Sequence, residues 1–283
     1  MSDTYFQNKI AVVTGAGGTL CSEIAMDLAA CGAKVLLVGR TEGKLKAVAE
    51  RIAADGGLCK TAVCDVTDEK NIEKLAEETK NEWGFCDFLI NGAGGNNSAV
   101  MTTAEAYTSR ETENAMPDEF KGFFNLDMEA FESVLKINTL GSVIPTRAFG
   151  KQMAKNGSGS IINFASMNSY CPLTKVPAYA MSKGAVVSMT KWLAAYLAPA
   201  GIRVNAIAPG FFANERSIKF LGTPETGLSP RGQKVIDHTP MERFGQAKDL
   251  LGCVRWLLDE RASAFVTGIT VPVDGGFLTR SGV

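Results

Sequence analysis

The stretch Ile10-Ala-Val-Val-Thr-Gly-Ala-Gly-Gly-Thr-Leu-Cys21 joins a short apolar run directly to a glycine-rich turn and the start of a helical pattern. In a strand–turn–helix unit of this kind, backbone N–H groups and the positive end of the helix can approach a pyrophosphate. Gly15 would permit the tight turn, and Gly17 and Gly18 the close approach of the ligand. An ordinary turn between a strand and a helix could use the same glycines. The motif therefore indicates a nucleotide site only together with other features of the chain.

Short apolar, β-branched segments alternate with longer helical patterns through the whole chain. The segments that predict strands are residues 10–13, 34–38, 58–63, 88–90, 160–164, 203–207 and 269–273. The segments that predict helices are residues 21–30, 42–54, 69–83, 128–154, 178–197 and 247–259. The strands lack regular polar alternation, which is typical of parallel strands buried on both faces. The pattern predicts an α/β fold in which residues 1–283 form one doubly wound domain.

Two long segments interrupt the alternation of strands and helices. Residues 96–125 form a polar, acidic stretch after the fourth predicted strand, and residues 212–245 follow the sixth. Loops of this length are usually functional or disordered, and ligands of open α/β sheets bind beyond the carboxyl ends of the strands. We expect residues 212–245 to form a substrate lid. Residues 96–125 fit a wall of the substrate site and a surface decoration equally well.

Composition and charge narrow the range of partners. Of 283 residues, 46% are apolar, and 29 Lys and Arg nearly balance 30 Asp and Glu, for a net charge of −1. No basic stripe stands out, which argues against nucleic acid and anionic membrane surfaces as partners. The N-terminus has no apolar signal region, and no stretch approaches about 18 uninterrupted apolar residues. We expect a cytoplasmic protein.

The seven cysteines are scattered without a Cys-x-x-Cys motif, and His238 is the only histidine. The odd count and the missing signal region argue against a disulfide framework. A zinc site would need clustered Cys and His residues, so no metal is expected. Nucleophilic catalysis by a Ser-His or Cys-His pair is also disfavoured, because a single histidine would have to serve it.

A tyrosine and a lysine, Tyr179 and Lys183, stand four residues apart in a helical pattern, and Ser166 lies thirteen residues before the tyrosine. Side chains with this spacing share one face of a helix. A lysine ammonium one turn away favours the phenolate and lowers the pKa of the tyrosine, which gives an acid and base near neutral pH. A half-buried tyrosine beside a solvated lysine would show the same spacing, so the pair alone is a weak indication.

The end of the second predicted strand bears on the choice of nucleotide. An acidic residue there would bind a ribose 2′-hydroxyl and indicate NAD, whereas an arginine suits a 2′-phosphate. This chain has Gly39 at the acidic position, followed by Arg40. A guanidinium can bind a phosphate through two hydrogen bonds, so NADP(H) is favoured and NAD(H) remains possible. Arg40 could also lie flat over the adenine, and Asp65 is placed to meet the adenine amino group.

Together these segments resemble the short-chain dehydrogenase/reductase family over nearly the whole chain. Beyond the glycine turn, the matching motifs are Asp65-Val66, Asn91-Gly-Ala-Gly94, Asn138, Ser166, Tyr179-Ala-Met-Ser-Lys183, Pro209-Gly210 and Val273-Asp-Gly-Gly276. The resemblance implies a Rossmann-like fold with a seven-stranded parallel sheet, a nicotinamide cofactor and a homotetramer.

The resemblance also implies roles for four side chains. Tyr179 would exchange a proton with the substrate oxygen, and Lys183 would lower its pKa and bind the nicotinamide ribose. Ser166 would hydrogen-bond the substrate carbonyl as charge develops on it. Asn138 would hold a water that links Lys183 to solvent. The implied cofactor contacts are Gly15, Gly17, Gly18, Thr19, Leu20, Arg40, Asp65, Val66, Asn91, Gly92, Ala93, Tyr179, Lys183, Pro209, Gly210 and Phe212.

Two positions of the glycine turn depart from the general family pattern. Thr19 and Cys21 stand where family members usually have glycine, so the turn could be wider and Thr19 could contact the pyrophosphate through its hydroxyl. A cysteine at the second position is shared with a narrower branch, the D-mannonate oxidoreductases or fructuronate reductases. That branch is also similar in the stretches Asn91-Gly-Ala-Gly-Gly-Asn96, Ser166-Met-Asn168, Leu173-Thr-Lys-Val-Pro-Ala-Tyr179, Ala208-Pro-Gly-Phe-Phe212 and His238-Thr-Pro-Met-Glu-Arg-Phe-Gly245.

The branch implies a six-carbon sugar acid as substrate. Its carboxylate would need a cationic partner in a partly closed site. Candidate cations are Lys175 and, in the expected lid, Arg216, Lys219, Arg231 and Arg243; Asn96, Asn97 and Asn168 could bind sugar hydroxyls.

Two other functions are the alternatives. A reductase for another ketone, polyol or acyl chain, such as gluconate 5-dehydrogenase or 3-oxoacyl reductase, would share the motifs and differ in the substrate pocket. A dinucleotide-binding regulator without activity would be expected to lack Tyr179 or Lys183, and both are present.

Overall fold

The computed structural model describes residues 4–113, 119–223 and 226–280. Its main sheet has seven strands, all parallel. They are Ile10–Thr14 (β1), Lys34–Gly39 (β2), Leu58–Val63 (β3), Phe88–Asn91 (β4), Gly159–Phe164 (β5), Ile202–Pro209 (β6) and Thr270–Val273 (β9). The strand order is β3-β2-β1-β4-β5-β6-β9. The predicted α/β fold with a seven-stranded parallel sheet is therefore confirmed.

Helices cover both faces of this sheet. The helices of the described residues are Thr19–Ala30 (α1), Glu42–Ala54 (α2), Glu69–Trp83 (α3), Met128–Asn156 (α4), Pro177–Leu197 (α5), Glu215–Leu221 (α6), Pro230–His238 (α7), Leu251–Leu258 (α8) and Glu260–Ser263 (α9). Alternate residues of a strand face opposite helices: Val13 packs with α1, α2 and α8, and Val12 packs with α3, α4 and α5. Because the strands are buried on both faces, consecutive residues are apolar and polar residues do not alternate with them.

The helices that carry the candidate catalytic residues have clear local signals at their ends. The Asp127 carboxylate accepts a hydrogen bond from the N–H of Ala130 at 3.0 Å and caps α4. Gly157, with a φ of +74°, ends that helix in the left-handed conformation that glycine tolerates best. Pro177 occupies the first position of α5, where its missing N–H leaves no bond unmade.

The predicted boundaries agree with the structure to within two residues except in the last predicted helix, and two of the differences have identifiable reasons. Helix α1 begins at Thr19 instead of residue 21, because the extended backbone of Gly18 is its N-cap. The helix predicted over residues 247–259 is divided into a 3₁₀ turn, Ala247–Leu250, and α8. It stops at Asp259, whose side chain accepts a hydrogen bond from the N–H of Arg261 at 2.9 Å and starts α9.

The register of the sheet aligns the ends of three central strands. Thr14 of β1 pairs with Asn91 of β4, and Asn91 pairs with Asn163 of β5. The segments that leave these strands therefore emerge side by side at the carboxyl edge of the sheet. This edge includes the glycine turn, the Asn91-Gly-Ala-Gly94 motif and Ser166.

The first long segment, residues 96–125, is closed at its base by two hydrogen bonds. The N–H of Thr103 donates to the Lys121 carbonyl at 2.8 Å, and the Lys121 N–H donates to Thr103 Oγ1 at 3.1 Å. Nearer its start, Val100 is buried against Val134 and Ala178, the residue before Tyr179. The beginning of this segment thus lies beside the candidate catalytic helix, and its residues 114–118 lie outside the described residues.

The second long segment, residues 212–245, is also closed at its base. Phe212 and Gly245 form an isolated parallel bridge, and the Gly245 N–H donates to the Phe211 carbonyl at 2.8 Å. Between them lie α6, α7 and a short hairpin of Gly222–Thr223 (β7) and Gly227–Leu228 (β8). The segment leaves directly from the end of β6, which is where the predicted lid would have to be attached.

None of the helices in the described part of the chain is long and apolar enough to span a membrane. A cytoplasmic location stays a prediction.

Candidate active site

The glycine turn after β1 is tight because it packs against the turn after β4. Gly15 has a φ of +68°, and a Cβ there would lie 2.8 Å from the Gly92 carbonyl oxygen and 2.9 Å from the Ala93 Cα. Helix α1 has no side-chain cap and no acidic residue in its first turn. Its first N–H groups and its positive end are therefore available to an anion.

Thr14 joins these two turns, a role that the sequence analysis did not assign. Its hydroxyl oxygen accepts hydrogen bonds from the N–H groups of Gly92 and Ala93, both at 3.1 Å, and the hydroxyl donates to the Ile90 carbonyl at 3.3 Å. The residue is fully buried. A hydroxyl residue that ends an apolar strand directly before a glycine turn is the signal that could have indicated this role.

The cysteine of the glycine turn fits because the facing residue has no side chain. A Cβ on Gly92 would lie only 2.1 Å from Cys21 Sγ, so the thiol occupies the space above this glycine. Burial raises the pKa of Cys21 to about 12, so the group is a neutral thiol at physiological pH. Thr19, the other departure, is exposed as the first residue of α1.

Arg40 and Asp65 lie together beside the expected adenine position. Arg40 Nη1 lies 3.9 Å from Asp65 Oδ2, and 70% of the arginine side chain is exposed. Partial burial acts to raise the pKa of Asp65, but hydrogen bonds from Thr67 and the charge of Arg40 outweigh it, and the pKa is lowered. The pair places one negative and one largely exposed positive charge at the ends of β2 and β3.

Asn91 and Val66, which are expected to contact the cofactor, have side chains that point into the protein. The Asn91 amide nitrogen donates to Thr146 Oγ1 and to Asn163 Oδ1, both at 2.9 Å. Val66 is 3% exposed, and a Cβ on Gly141 of α4 would lie 2.9 Å from it. Their backbone groups remain the parts that could face a ligand.

The remaining candidate cofactor positions follow β1 and β6. A Cβ on Gly17 would lie 2.9 Å from Lys44 Cβ, Gly18 is exposed, and Leu20 is partly buried. The Gly210 N–H donates to the Val273 carbonyl at 3.0 Å, directly after Pro209. Phe212 is 6% exposed and packs on Gly245.

Ser166 and Tyr179 are brought together at the carboxyl edge of the sheet. Ser166 is 5% exposed and follows β5, whereas Tyr179 lies in the first turn of α5. Burial raises the pKa of Tyr179, and the hydrogen bond with Ser166 acts in the opposite direction. The result is a raised pKa, which is opposite to the direction that the sequence predicts.

Burial of Tyr179 is the main cause of this difference, and Lys183 does not offset it. Its Nζ donates to the Phe164 carbonyl at 2.6 Å and lies 5.6 Å from the centre of the Tyr179 ring. Burial lowers the pKa of Lys183 to about 8, so the lysine stays mostly protonated at neutral pH but loses its proton more easily than a solvated lysine.

Asn138 faces the same point from α4. It is fully buried, its Oδ1 accepts from the Gly95 N–H at 3.1 Å, and its Nδ2 donates to the carbonyls of Gly95 at 2.7 Å and Val134 at 2.9 Å. A Cβ on Gly94 would lie 2.4 Å from Asn138 Oδ1 and 3.5 Å from Lys183 Nζ. Gly94 therefore marks the place where Asn138 and Lys183 meet.

The residues expected at the substrate lie in different surroundings. Asn96 and Asn97 are exposed, whereas Asn168 is 4% exposed and hydrogen-bonded to Ser166. Lys175 is partly exposed, with a φ of +72° and a carbonyl that accepts from the Thr102 N–H at 3.1 Å.

The cations expected in the lid are spread over its surface. Lys219 is exposed and Arg231 is partly exposed. Arg243 is paired with Asp249 at 2.6 Å. The side chain of Arg216 lies outside the described part of the structure.

These residues fit a dinucleotide. The glycine turn forms a cradle that a Cβ would fill, and the uncapped start of α1 suits a pyrophosphate. A bound nicotinamide would donate or accept the hydride. Tyr179, with Ser166 beside it and Lys183 behind it, could pass the proton to or from a substrate oxygen. Among the described residues, no group of three or more His, Cys, Asp and Glu could hold a metal ion.

Comparison with known proteins identifies the relatives of this chain. A family model for short chain dehydrogenases matches residues 9–220. UxuB of Bacillus subtilis (strain 168), an uncharacterized oxidoreductase, is 44% identical over 275 residues, which cover 97% of this chain and 96% of the relative.

Two solved structures extend the comparison to the fold. A Haemophilus influenzae protein whose proposed activity is D-mannonate oxidoreductase, with NAD bound, is 41% identical with a TM-score of 0.90, covering 98% of this chain and 97% of that one. A gluconate 5-dehydrogenase from Burkholderia cenocepacia, in complex with NADP and tartrate, is 27% identical with a TM-score of 0.82, covering 98% of both chains. The chain thus belongs to the short-chain dehydrogenase family, and it is an oxidoreductase that acts on alcohol or ketone substrates with a nicotinamide cofactor.

Proposed function

We propose that this protein interconverts a secondary alcohol and a ketone of a six-carbon sugar acid, with D-mannonate and D-fructuronate as the pair. The observation that carries the proposal is the similarity, over nearly the full length of both chains, to the Haemophilus influenzae protein described above. The partly exposed Lys175, two residues before α5, supplies a cation near the candidate catalytic tyrosine, as a carboxylate substrate would require.

In the proposed reaction, Tyr179 transfers the proton, and a bound nicotinamide would supply or take up the hydride. For oxidation, the phenolate accepts the proton of the substrate hydroxyl; for reduction, the phenol returns it to the oxygen that was the ketone. Ser166 donates a hydrogen bond to the same oxygen, where it stabilises developing negative charge. Lys183, which lies near Asn138 at Gly94, would bind the nicotinamide ribose, and Asn138 would hold a water that links Lys183 to solvent.

The strained backbone of Lys175 supports its place at the substrate. A lysine with a φ of +72° adopts the left-handed conformation that side chains with a Cβ disfavour, at a cost of about 1 kcal/mol or more. Such strain is concentrated at functional sites. The Thr102 N–H, which donates to the Lys175 carbonyl, ties this conformation to the start of residues 96–125. This segment then serves as a wall of the substrate site.

For the cofactor, we propose a preference for NADP(H), with NAD(H) also accepted. Arg40 stands where a 2′-phosphate would lie, its guanidinium is largely exposed, and the preceding Gly39 offers no carboxylate to a ribose hydroxyl. Among the structures compared above, one holds NAD and another NADP. The distinction therefore depends on the residues of this chain.

We also propose a homotetramer. Trp192 and Tyr196 stack at 4.7 Å between ring centres on α5, and both remain more than half exposed. Large exposed aromatic side chains are typical of surfaces that associate. Light scattering during size-exclusion chromatography tests the proposal, and a monomer at micromolar concentration contradicts it.

The alternative enzyme function is a reductase for another ketone, and a substrate screen separates the two. The purified protein is mixed with NADPH or NADH and, in turn, D-fructuronate, 5-ketogluconate and a short 3-oxoacyl thioester, while the nicotinamide absorbance is followed. We expect turnover with D-fructuronate, and loss of about 10²–10⁴-fold in kcat for Tyr179→Phe. Tyr196→Phe, an exposed tyrosine on the same helix, is the matched control. Activity on another ketone but not on D-fructuronate would contradict the proposed substrate and agree with the enzyme class.

A further inference from the structure

The candidate catalytic serine also caps a short helix. Ser166 is the N-cap of the 3₁₀ turn Met167–Ser169, and its Oγ accepts a hydrogen bond from the Asn168 N–H at 3.2 Å. The side-chain Nδ2 of the same Asn168 lies 3.4 Å from this oxygen. Both residues are buried, at 5% and 4% exposure. One residue thus offers the serine oxygen two donors from the interior of the protein.

The orientation of the Asn168 amide is fixed from its other end. Its Oδ1 accepts a hydrogen bond from the Leu173 N–H at 3.0 Å. A backbone N–H can only donate, so the oxygen of the amide must face Leu173 and the NH₂ group must face Ser166. Asn168 therefore acts as a donor to the serine, never as an acceptor from it.

This arrangement fixes the direction of the serine proton. A hydroxyl has one proton and two acceptor lone pairs. With donors of Asn168 at both lone pairs, the Ser166 proton must point elsewhere, and Tyr179 is a neighbour close enough for Ser166 to act on its phenol. The serine then meets Tyr179 and a substrate oxygen as a donor, which is the state that stabilises negative charge on either oxygen.

We propose that Asn168 is a positioning residue that holds the Ser166 hydroxyl as a hydrogen-bond donor toward Tyr179 and the substrate oxygen. The proposal rests on the role of Ser166 in the proposed reaction, and on no particular substrate. It replaces the sugar-hydroxyl contact that the sequence suggests for Asn168.

A positioning role and a structural role for Asn168 predict opposite orders of kcat loss in two variants. Asn168→Asp keeps the shape and the acceptor for Leu173, but its second carboxylate oxygen accepts the serine proton and turns it away from Tyr179. Asn168→Ala removes the Leu173 hydrogen bond but leaves the backbone donor to Ser166. Positioning predicts that kcat falls by about 10²-fold in Asn168→Asp, as for loss of one donor to a developing oxyanion, and clearly less in Asn168→Ala. A merely structural role predicts the reverse order.

A double-mutant cycle with Ser166→Ala separates action through the serine from direct contact with substrate. If Asn168 acts through Ser166, Asn168→Asp lowers kcat in the wild-type background and changes it less than about threefold in the Ser166→Ala background. Equal losses in both backgrounds, or a rise in KM that persists without the serine, would overturn the proposal. So would unchanged kcat in Asn168→Asp.

A readout without substrate keeps this test separate from the proposed sugar acid. The tyrosinate absorbance of the protein is titrated with pH, and the contribution of Tyr179 is obtained by difference from Tyr179→Phe. Since the serine proton favours the phenolate, the pKa of Tyr179 rises in Asn168→Asp and in Ser166→Ala, and the double variant shows no further rise. An unchanged pKa in Asn168→Asp contradicts the proposal whatever the substrate is.

Two controls exclude misfolding and a change in net charge as the cause. Asn156→Asp introduces the same change at the exposed end of α4 and is expected to leave kcat and the Tyr179 titration unchanged. Thermal unfolding and the affinity for NADH, measured by fluorescence, should be close to wild type in Asn168→Asp. If Asn168→Asp does not fold, the cycle is completed with Asn168→Ala, where a loss of kcat larger than that of Ser166→Ala contradicts positioning.

Discussion

The side-chain nitrogen of Lys183 lies 5.6 Å from the centre of the Tyr179 ring, although the two residues are one helical turn apart. The lysine instead donates to the Phe164 carbonyl at 2.6 Å at the end of β5. Burial lowers the pKa of Lys183 to about 8, from 10.5. Folding therefore takes a charged group out of water, and the protein bears this cost whenever the lysine is protonated.

The lowered pKa makes stability depend on pH through Lys183. Between pH 8 and 10.5 the unfolded chain binds this proton more tightly than the folded one, so the contribution of the lysine to stability rises with pH across this window. We expect wild type to gain on the order of 2 kcal/mol of unfolding free energy relative to Lys183→Met between pH 7 and pH 10.5. Urea unfolding at several pH values measures this difference.

The control for this measurement is Lys191→Met, an exposed lysine on the same helix. Its unfolding free energy should follow that of wild type at a constant difference across the pH range. If Lys183→Met does the same, the lysine has an ordinary pKa in the folded protein and the argument from burial fails.

Two adjacent glycines offer a matched test of the junction between Asn138 and Lys183. In Gly94→Ala the new Cβ would lie 2.4 Å from Asn138 Oδ1, whereas nothing lies within 4 Å of a Cβ on Gly95. Asn138 must move in the first variant, and with it the hydrogen bonds to the Gly95 backbone. We expect kcat to fall at least tenfold in Gly94→Ala, because a displacement of about 1 Å can lower the rate 10²-fold. Gly95→Ala should stay within twofold of wild type, and similar rates for both variants would contradict this geometry.

Thr14 offers a test of the link between the two cofactor turns. Thr14→Val keeps the shape but removes the acceptor of the Gly92 and Ala93 N–H groups. A buried donor left without a partner costs about 1–3 kcal/mol. We expect a loss of unfolding free energy of at least that size, together with weaker NADH binding by fluorescence titration. Thr61→Val, an exposed threonine in the edge strand β3, should change neither quantity. An unchanged NADH affinity in Thr14→Val would show that this residue does not contribute to cofactor binding.

The sequence predicts the elements well and the details of the site less well, for a physical reason. Strands such as Phe88–Asn91 are recognisable because burial on both faces requires a continuous apolar run. The pKa of Tyr179 depends on how deeply the tyrosine is buried and on where the Lys183 ammonium finds an acceptor. That acceptor, the Phe164 carbonyl, is a backbone atom of another element, so no pattern of side chains indicates it.

The surroundings of Asn168 are also difficult to predict from the sequence. Its polarity and its position two residues after Ser166 suggest a contact with a sugar hydroxyl. In the structure its amide is bonded to Ser166 and to the Leu173 N–H, partners that its polarity and spacing do not indicate. The sequence does not indicate the role of Thr14 for a related reason, since its three hydrogen bonds go to backbone groups of β4 and of the turn after it.

The choice between NADP and NAD can be tested at Arg40. A guanidinium that binds a 2′-phosphate makes charge-assisted hydrogen bonds of about 1.5–3 kcal/mol. We expect Arg40→Ala to lower kcat/KM for NADPH by about 10–100-fold and for NADH by less than threefold. Arg51→Ala, which removes an exposed arginine that faces Glu23, is the control and should affect neither cofactor. An equal loss with both cofactors would show that Arg40 lies on the adenine.

Lys175 provides the test of the carboxylate in the proposed substrate. If its ammonium binds the sugar-acid carboxylate, Lys175→Ala raises KM for D-fructuronate at least tenfold, since a hydrogen bond between charged groups contributes about 1.5–3 kcal/mol. NADPH binding should not change, because the residue is joined to Thr102 and not to the glycine turn. Lys191→Ala, an exposed lysine further along α5, serves as control. A neutral ketone sharpens the result: its KM should be equal in wild type and Lys175→Ala. An equal rise in KM for both substrates would mean that Lys175 stabilises the conformation of the segment before α5 and does not bind the substrate carboxylate.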